Sequence, residues 1–332
     1  MTEPIILKFS DIRPTYWDTV RDEIEWMNEV EKATNGRIKF KFISGKAAGK
    51  PDEQYRMMQE RYVDIINQHP SYTANIFPIS TDLDCLPFTY PSAEIAAKVV
   101  NEIYIKYCSY TEFKNVKVLW AQLVAPLQIH STKKTIKTVE DWKGLKGPNL
   151  VRPLLREMQS VFKASATYAI GNVDTYDYFK QGILDYAFYS YQPMVAGIGK
   201  IEDKKDFASV TKYRTHCNIM TKGWPILMDI RTWNKLPPDI QQIIEKLSGQ
   251  ERSAWAGKRK DVKESHEREL LEAYDKKAGN PPIYELPADE KQRWMEISAP
   301  LIDKWATELE AQGIPGKAIL RDVHNLVAKY SK

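Results

Sequence analysis

The sequence predicts an α/β protein built as two successive units, and three observations carry this. In the first half, short runs with alternating apolar residues, as in strands, are separated by stretches with apolar residues three and four apart, as in helices. The same rhythm restarts near Leu123. The length, 332 residues, exceeds what a single core organises, so two domains are expected.

The elements follow in order. Ile5, Leu7 and Phe9 alternate on a first strand. Val20, Ile24, Met27 and Val30 form the apolar face of a helix that Asn35-Gly36 stops. Ile38, Phe40 and Phe42 alternate on a second strand, followed by a helix over about 54–59 and an apolar strand over 63–67. Ser92 caps a helix carrying Ile95, Val99 and Ile103, and residues 116–120 read as a strand. This succession makes a sheet with helices on its faces. Beyond Leu123, residues 127–131 are expected as a strand, 153–162 as a helix and 167–170 as a strand. A helix over 174–181 closes at Gly182, and a strand covers 184–188. After the segment 224–230, Pro238 opens a helix expected to reach about residue 277, with Ile240, Ile243, Ile244 and Leu247 on one face. Unbroken, it would be about 55 Å long, more than one small domain, so it is expected to run along both units. The tail from Pro287 adds amphipathic helices.

Composition narrows the function classes. Apolar content is 43% and charged content 28%, as in globular proteins. The net charge of +4 is small, and lysines are interspersed with acids, so no nucleic-acid stripe forms. No apolar run approaches the roughly 20 residues that span a bilayer. Met1-Thr2-Glu3-Pro4 leads straight into the first strand without a signal-peptide pattern, so a leader is expected to be missing from the sequence if the protein is exported. Cys85, Cys108 and Cys217 are odd in number and widely spaced; they give neither a disulfide framework nor a zinc pattern, and buried thiols or one disulfide both remain open. Gly45-Lys46-Ala47-Ala48-Gly49-Lys50 is one residue short of a phosphate loop, with Pro51 where Ser or Thr should hold magnesium. There is no Gly-x-Ser-x-Gly elbow and no His-Glu-x-x-His, and the five histidines are scattered. No catalytic residue, metal site or cofactor is nominated.

The most informative stretch runs from Lys137 to Lys146, Lys-Thr-Val-Glu-Asp-Trp-Lys-Gly-Leu-Lys. Thr138 and Asp141 make a capping-box pattern for a short helix, and Gly144 stands where a positive φ ends it. An abrupt stop there aims the chain after Lys146 into a new strand or loop. This run resembles the "T-x-E-D-L-K-G-L-K" signature of the DctP-like solute-binding proteins of tripartite (TRAP) transporters. Other segments are similar to that family in the same order: Asn35-Gly36-Arg37-Ile38, Phe42 with Gly45 and Gly49, Val63-Asp64-Ile65, Leu86-Pro87-Phe88, Gln181-Gly182-Ile183-Leu184-Asp185, Trp233-Asn234-Lys235-Leu236-Pro237 and Gly313-Ile314-Pro315-Gly316-Lys317. The resemblance covers roughly residues 6–330.

The resemblance implies a two-lobed, periplasmic-binding-protein-like architecture with a hinge of crossing strands and the long helix spanning both lobes. Residues 1–123 plus 214–250 would form lobe I and 124–213 plus 251–332 lobe II, with the helix 238–277 crossing both. A small molecule would be held in an interlobe cleft that closes on binding. The sequence departs from the family where an arginine usually follows "G-L-K" and grips a ligand carboxylate: here Gly147-Pro148-Asn149 stands instead. Leu127 occupies the place of a second family arginine, and Tyr189 that of a frequent asparagine. Arg152, just ahead of Pro153, is the candidate replacement clamp, its alternative being a surface arginine.

The ligand-binding candidates implied are Tyr16, Trp17, Gln68 and His69 on lobe I, and Gln128, Asn149, Arg152, Tyr189, Gln192, Asn218 and Trp224 around lobe II and the hinge. His69 is read as a neutral hydrogen-bonding group, since no second ligand sits at metal spacing. Tyr189 and Tyr191, like Trp224, divide between pocket wall and core. The function implied is a periplasmic receptor, not an enzyme, that delivers a small organic ligand to TRAP membrane subunits and acts as a monomer. The ligand is expected to be an organic acid, a polyol or a ring-bearing compound. The rivals are an ordinary organic-acid receptor using Arg152, an enzyme on the same architecture, and a sensory ligand-binding protein.

Overall fold

A computed structural model describes residues 3–13, 15, 17–149, 152–168, 171–195 and 207–332. In chain order the strands are β1 (Ile5–Asp11), β2 (Ile38–Ser44), β3 (Ile65–Asn67), β4 (Val116–Leu123), β5 (Gln128–Ser131), β6 (Lys146–Asn149), β7 (Ser165–Tyr168), β8 (Tyr186–Tyr189), β9 (Tyr213–His216), β10 (Gly223–Asp229) and β11 (Tyr284–Glu285). The helices are α1 (Asp18–Ala33), α2 (Gln54–Gln59), α3 (Ser80–Leu83), α4 (Ala93–Lys106), α5 (Pro153–Val161), α6 (Gly171–Lys180), α7 (Gln192–Val195), α8 (Ile230–Trp233), α9 (Pro238–Lys246), α10 (Gly249–Ala278), α11 (Ala288–Ala311) and α12 (Gly316–Tyr330).

The chain forms two units. The first comprises Met1–Thr81, Ala97–Leu123 and Gly223–Gly257; the second comprises Asp82–Ala96, Val124–Lys222 and Lys258–Lys332. Relative to the boundaries expected from sequence, residues 82–96 and 214–222 fall in the second unit and 251–257 in the first. Hydrogen bonding explains the former: β9 pairs with β5, Leu127 N–H donates to Met220 O at 2.7 Å, and Phe88 N–H donates to Ile219 O at 2.7 Å.

The first unit is a five-stranded sheet in the order β2-β1-β3-β10-β4. β1 runs parallel to β2 and β3, while β10 lies antiparallel to both β3 and β4. Leu7 and Phe9 of β1 face a core with Trp26, Met27 and Val30 of α1, as the three-and-four spacing requires, and Ile226 and Met228 of β10 join it. Phe9 meets Trp26 and Phe42 edge-on at 6.4 and 5.4 Å.

The second unit carries a four-stranded sheet in the order β11-β9-β5-β8 and a two-stranded parallel pair β6-β7. One core packs Leu184, Ala187, Tyr191, Phe207 and Leu271. Another stacks Trp142 on Phe162 at 5.0 Å and sets Tyr186 and Trp294 edge-on to Trp142 at 5.1 and 5.4 Å. The Lys137–Lys146 run behaves as its residues dictate. Asp141 Oδ2 accepts from the Lys137 and Thr138 N–H groups at 2.9 and 3.1 Å. The short helix is a 3₁₀ turn over Val139–Trp142, Gly144 takes φ +77°, and β6 starts at Lys146.

The expected helix over 238–277 is two helices. Gly249 at φ +69° sits at the break after Leu247-Ser248, a conformation that ends α9 and that glycine adopts without a Cβ penalty. It is α10, not one continuous rod, that passes from the first unit to the second, after Gly257. β9 was not expected as a strand because Tyr-Arg-Thr-His shows no apolar alternation. Arg214 is nevertheless buried there, since its guanidinium donates to Thr211 O at 3.0 Å and to Asp275 at 3.2 Å.

Candidate functional site

In the first unit the register brings several loop starts to one end of the sheet. Asp11 at the end of β1 pairs across to Asn67 at the end of β3, and antiparallel β10 places Trp224 opposite Gln122 at that same end. Crevices at the carboxyl ends of strands are where open α/β sheets hold ligands. Gln68 and His69 follow β3 there and are buried. Gln68 Nε2 donates to Thr73 Oγ1 at 2.8 Å. His69 Nδ1 accepts the Ser71 N–H at 3.1 Å, which puts the proton of a neutral ring on Nε2. Its ring stands edge-on to Trp224 at 5.8 Å and to Tyr72 at 5.8 Å. The structure thus brings together Gln68, His69 and Trp224. Trp17 precedes α1 as its N-cap and is half-buried. Tyr16 lies outside the described residues.

Beneath this group sits a charge cluster that sequence reasoning missed. Arg13 is 4% exposed. Its Nε donates to both Asp11 oxygens at 3.1 Å, its Nη2 to Asp11 Oδ2 at 2.7 Å and to Glu23, and its Nη1 to Gln122 Oε1 at 2.9 Å. Asn67 Nδ2 donates to Glu23 Oε1 at 2.6 Å. Burial would pull the Arg13 guanidinium toward neutrality; the Asp11 and Glu23 charges outweigh it and raise its pKa. Two carboxyls face one guanidinium, so Glu23 is pushed well above the ordinary carboxylate range, first by burial and then by Asp11, against the pull of Arg13. The guanidinium also lies over the Trp224 ring at 4.9 Å. An Asp-x-Arg directly after an alternating strand was the available signal.

In the second unit Gln128 and Asn218 come together. Gln128 Oε1 accepts from the Cys217 and Asn218 N–H groups at 2.7 and 3.0 Å, and its Nε2 donates to Asn218 Oδ1 at 2.6 Å and Pro126 O at 2.9 Å. The amide of Gln128 is therefore spent on holding backbone, with Asn218 at φ +51°. Tyr189 pairs with Gln128 across β5-β8 and leans on Phe207 at 4.7 Å. Tyr191 is core: its hydroxyl lies 2.9 Å from His216 Nδ1 and its N–H donates to Glu264. Gln192 opens α7 half-buried, and Asn149 lies in β6, its side chain outside the described set. His130 donates from Nε2 to Tyr189 O at 3.1 Å, and burial, with Arg214 adding, holds its pKa well below the usual value.

Arg152 is 2% exposed rather than on the surface. Its two Nη atoms donate to the two Asp84 oxygens at 2.7 and 3.1 Å, a two-pronged contact with a carboxylate of this chain. Asp82 is also near, pushed up to about 6 by burial despite Arg152. Cys85, Cys108 and Cys217 are buried thiols without disulfide partners. Among the described residues no group of three or more His, Cys, Asp or Glu could hold a metal ion, and no helix is long and apolar enough to cross a membrane.

Comparison with known proteins bears on this geometry. The family model of the bacterial extracellular solute-binding proteins, family 7 (DctP), matches residues 19–308. The C4-dicarboxylate-binding periplasmic protein DctP of Rhodobacter capsulatus is 22% identical over 318 residues, 95% of this chain and 90% of that protein. A TRAP solute-binding protein from Rhodoferax ferrireducens, crystallised with copurified benzoate, is 26% identical with a TM-score of 0.85, covering 98% of each chain. A marine metagenome TRAP solute-binding protein specific for aromatic acid ligands, in complex with metahydroxyphenylacetate, shares the fold at a TM-score of 0.86. It is 21% identical, covering 99% of this chain and 100% of that one.

Proposed function

The chain belongs to the bacterial extracellular solute-binding proteins of family 7, the DctP family of TRAP transport receptors, and we propose that its own ligand is an aromatic carboxylic acid. The observation that supports this most is the benzoate-bound relative, similar over nearly the full length of both chains. The aromatic group of His69 and Trp224 at the carboxyl ends of the first sheet fits a ring better than a flexible dicarboxylate. We take Gln68, His69 and Trp224 as the part of the first unit that meets it. The receptor binds and releases its ligand unaltered as a monomer, for handover to TRAP membrane subunits.

A thermal-shift and calorimetric screen tests this with benzoate, mandelate, succinate and a neutral sugar. A ligand at a hundredfold excess over its Kd adds about 2.7 kcal/mol of stability, so the melting temperature should rise by several degrees for an aromatic acid. Stabilisation by succinate alone would replace the aromatic reading with a dicarboxylate one. Consumption of any compound by the pure protein would end the receptor reading.

A further inference from the structure

We propose that Gln68 is a specificity residue whose side-chain carbonyl accepts a hydrogen bond from a hydroxyl on the ligand's ring, so that hydroxylated aromatic acids bind more tightly than their unsubstituted parents. This rests on the aromatic-acid reading above and adds the substituent that the site selects. Gln68 is 2% exposed. Its Nε2 donates to Thr73 Oγ1 at 2.8 Å, and its Oε1 is buried with no hydrogen-bond partner among the described residues. Buried polar atoms are rarely left so, because an unmade hydrogen bond retains the full desolvation cost. The next residue begins the aromatic group: His69 has its Nδ1 tied to the Ser71 N–H, and its ring meets Trp224 edge-on. An unmet acceptor thus stands one residue from the surface proposed to hold a ring.

The chemistry of the donor is constrained from two sides. A carbonyl oxygen repels a carboxylate, so this position cannot hold the acid end of the ligand. Arg13, whose guanidinium lies over the Trp224 ring at 4.9 Å, is already engaged with Asp11, Glu23 and Gln122, so the cluster below adds no competing cation to draw an anion here. A neutral hydroxyl meets both conditions. Sites built to pair with a hydroxyl discriminate strongly against the analogue that lacks it, because the site's own group is then left unpaired.

Isothermal calorimetry with benzoate, 3-hydroxybenzoate and 4-hydroxybenzoate decides the matter. Wild type should bind at least one hydroxylated acid about tenfold or more tighter than benzoate. Gln68→Met, which keeps the length and removes the carbonyl, should bring that ratio within about twofold by weakening the hydroxylated acid more than benzoate. Should Gln68→Met fail to fold by circular dichroism, the same ratio is read on Thr73→Val, which releases the amide and is expected to shrink the preference. A wild type without preference overturns the proposal. So does equal weakening of all three acids by Gln68→Met, or a preference untouched by Thr73→Val. Binding of succinate and of none of the aromatic acids overturns the aromatic-acid reading and this inference with it.

Discussion

Two of the buried arginines, Arg13 and Arg152, carry the sharpest consequences of single side chains. Arg13 faces two carboxyls, and one of them, Glu23, is held above its ordinary pKa of 4.5 by burial and by Asp11. A group with a raised folded pKa contributes stability that is complete below its unfolded value and is lost as pH rises through the folded one. Glu23→Gln, a mimic of the protonated acid, should therefore flatten the fall in urea-unfolding free energy between pH 4.5 and 8.5 relative to wild type. A steeper fall, or a large loss at pH 5, would mean that Glu23 is ionised beside Arg13. Arg152 bonds Asp84 with both prongs and is fully enclosed. Arg152→Met should destabilise the ligand-free protein by about 3–5 kcal/mol, because the buried Asp84 loses the two-pronged guanidinium that faces its charge. Asp84→Leu in the same chain should recover part of that loss. A variant of unchanged melting temperature that no longer binds an anion would instead make Arg152 a ligand clamp. At this scale the sequence was legible where position speaks. Gln68 and His69 were nominated because they follow a strand, and Trp224 because it brackets a chain crossing, and the structure brings the three together. Arg13 went unseen because a lone arginine in a loop looks like solvent-facing charge until its partners Glu23 and Gln122 arrive from far along the chain.

Elements were legible where a local pattern sufficed. The α1 face and the capped turn at Thr138 came out as spaced, because periodicity and capping are short-range physics. β9 did not, because its burial depends on Asp275, some sixty residues away. β6 is a further case. A Cβ on Gly147 would lie 2.3 Å from the Tyr186 ring and 2.4 Å from Gln159 Oε1, so the strand can pack there only without a side chain. Tyr186 in turn donates its hydroxyl to Gln159 at 2.8 Å and stands against Trp142. Gly147→Ala should cost about 1–3 kcal/mol, seen as a lower melting temperature. It should be partly rescued by Tyr186→Ala, a coupling that a double-mutant cycle reads directly. A melting temperature equal to wild type would mean that β6 sits further from β8 than described.

For the whole molecule the decisive feature is the place of β10, taken from residues 223–229 and inserted between β3 and β4. The chain passes from one unit to the other at 81/82, 96/97, 123/124, 222/223 and 257/258, so neither unit is a continuous segment. The sequence showed that two units exist, since the strand–helix rhythm repeats, but not that a strand from past residue 220 completes the first. A fragment of residues 1–123 should accordingly lack a cooperative urea transition, having β3 and β4 with no strand between them. Adding residues 223–257 through a flexible linker should restore one. A fragment that folds alone would show that β10 is dispensable. The same insertion also governs timing. At about 5–20 residues per second, roughly eight to thirty seconds separate the synthesis of β3 from that of β10. Through that interval the nascent polypeptide cannot close its first sheet.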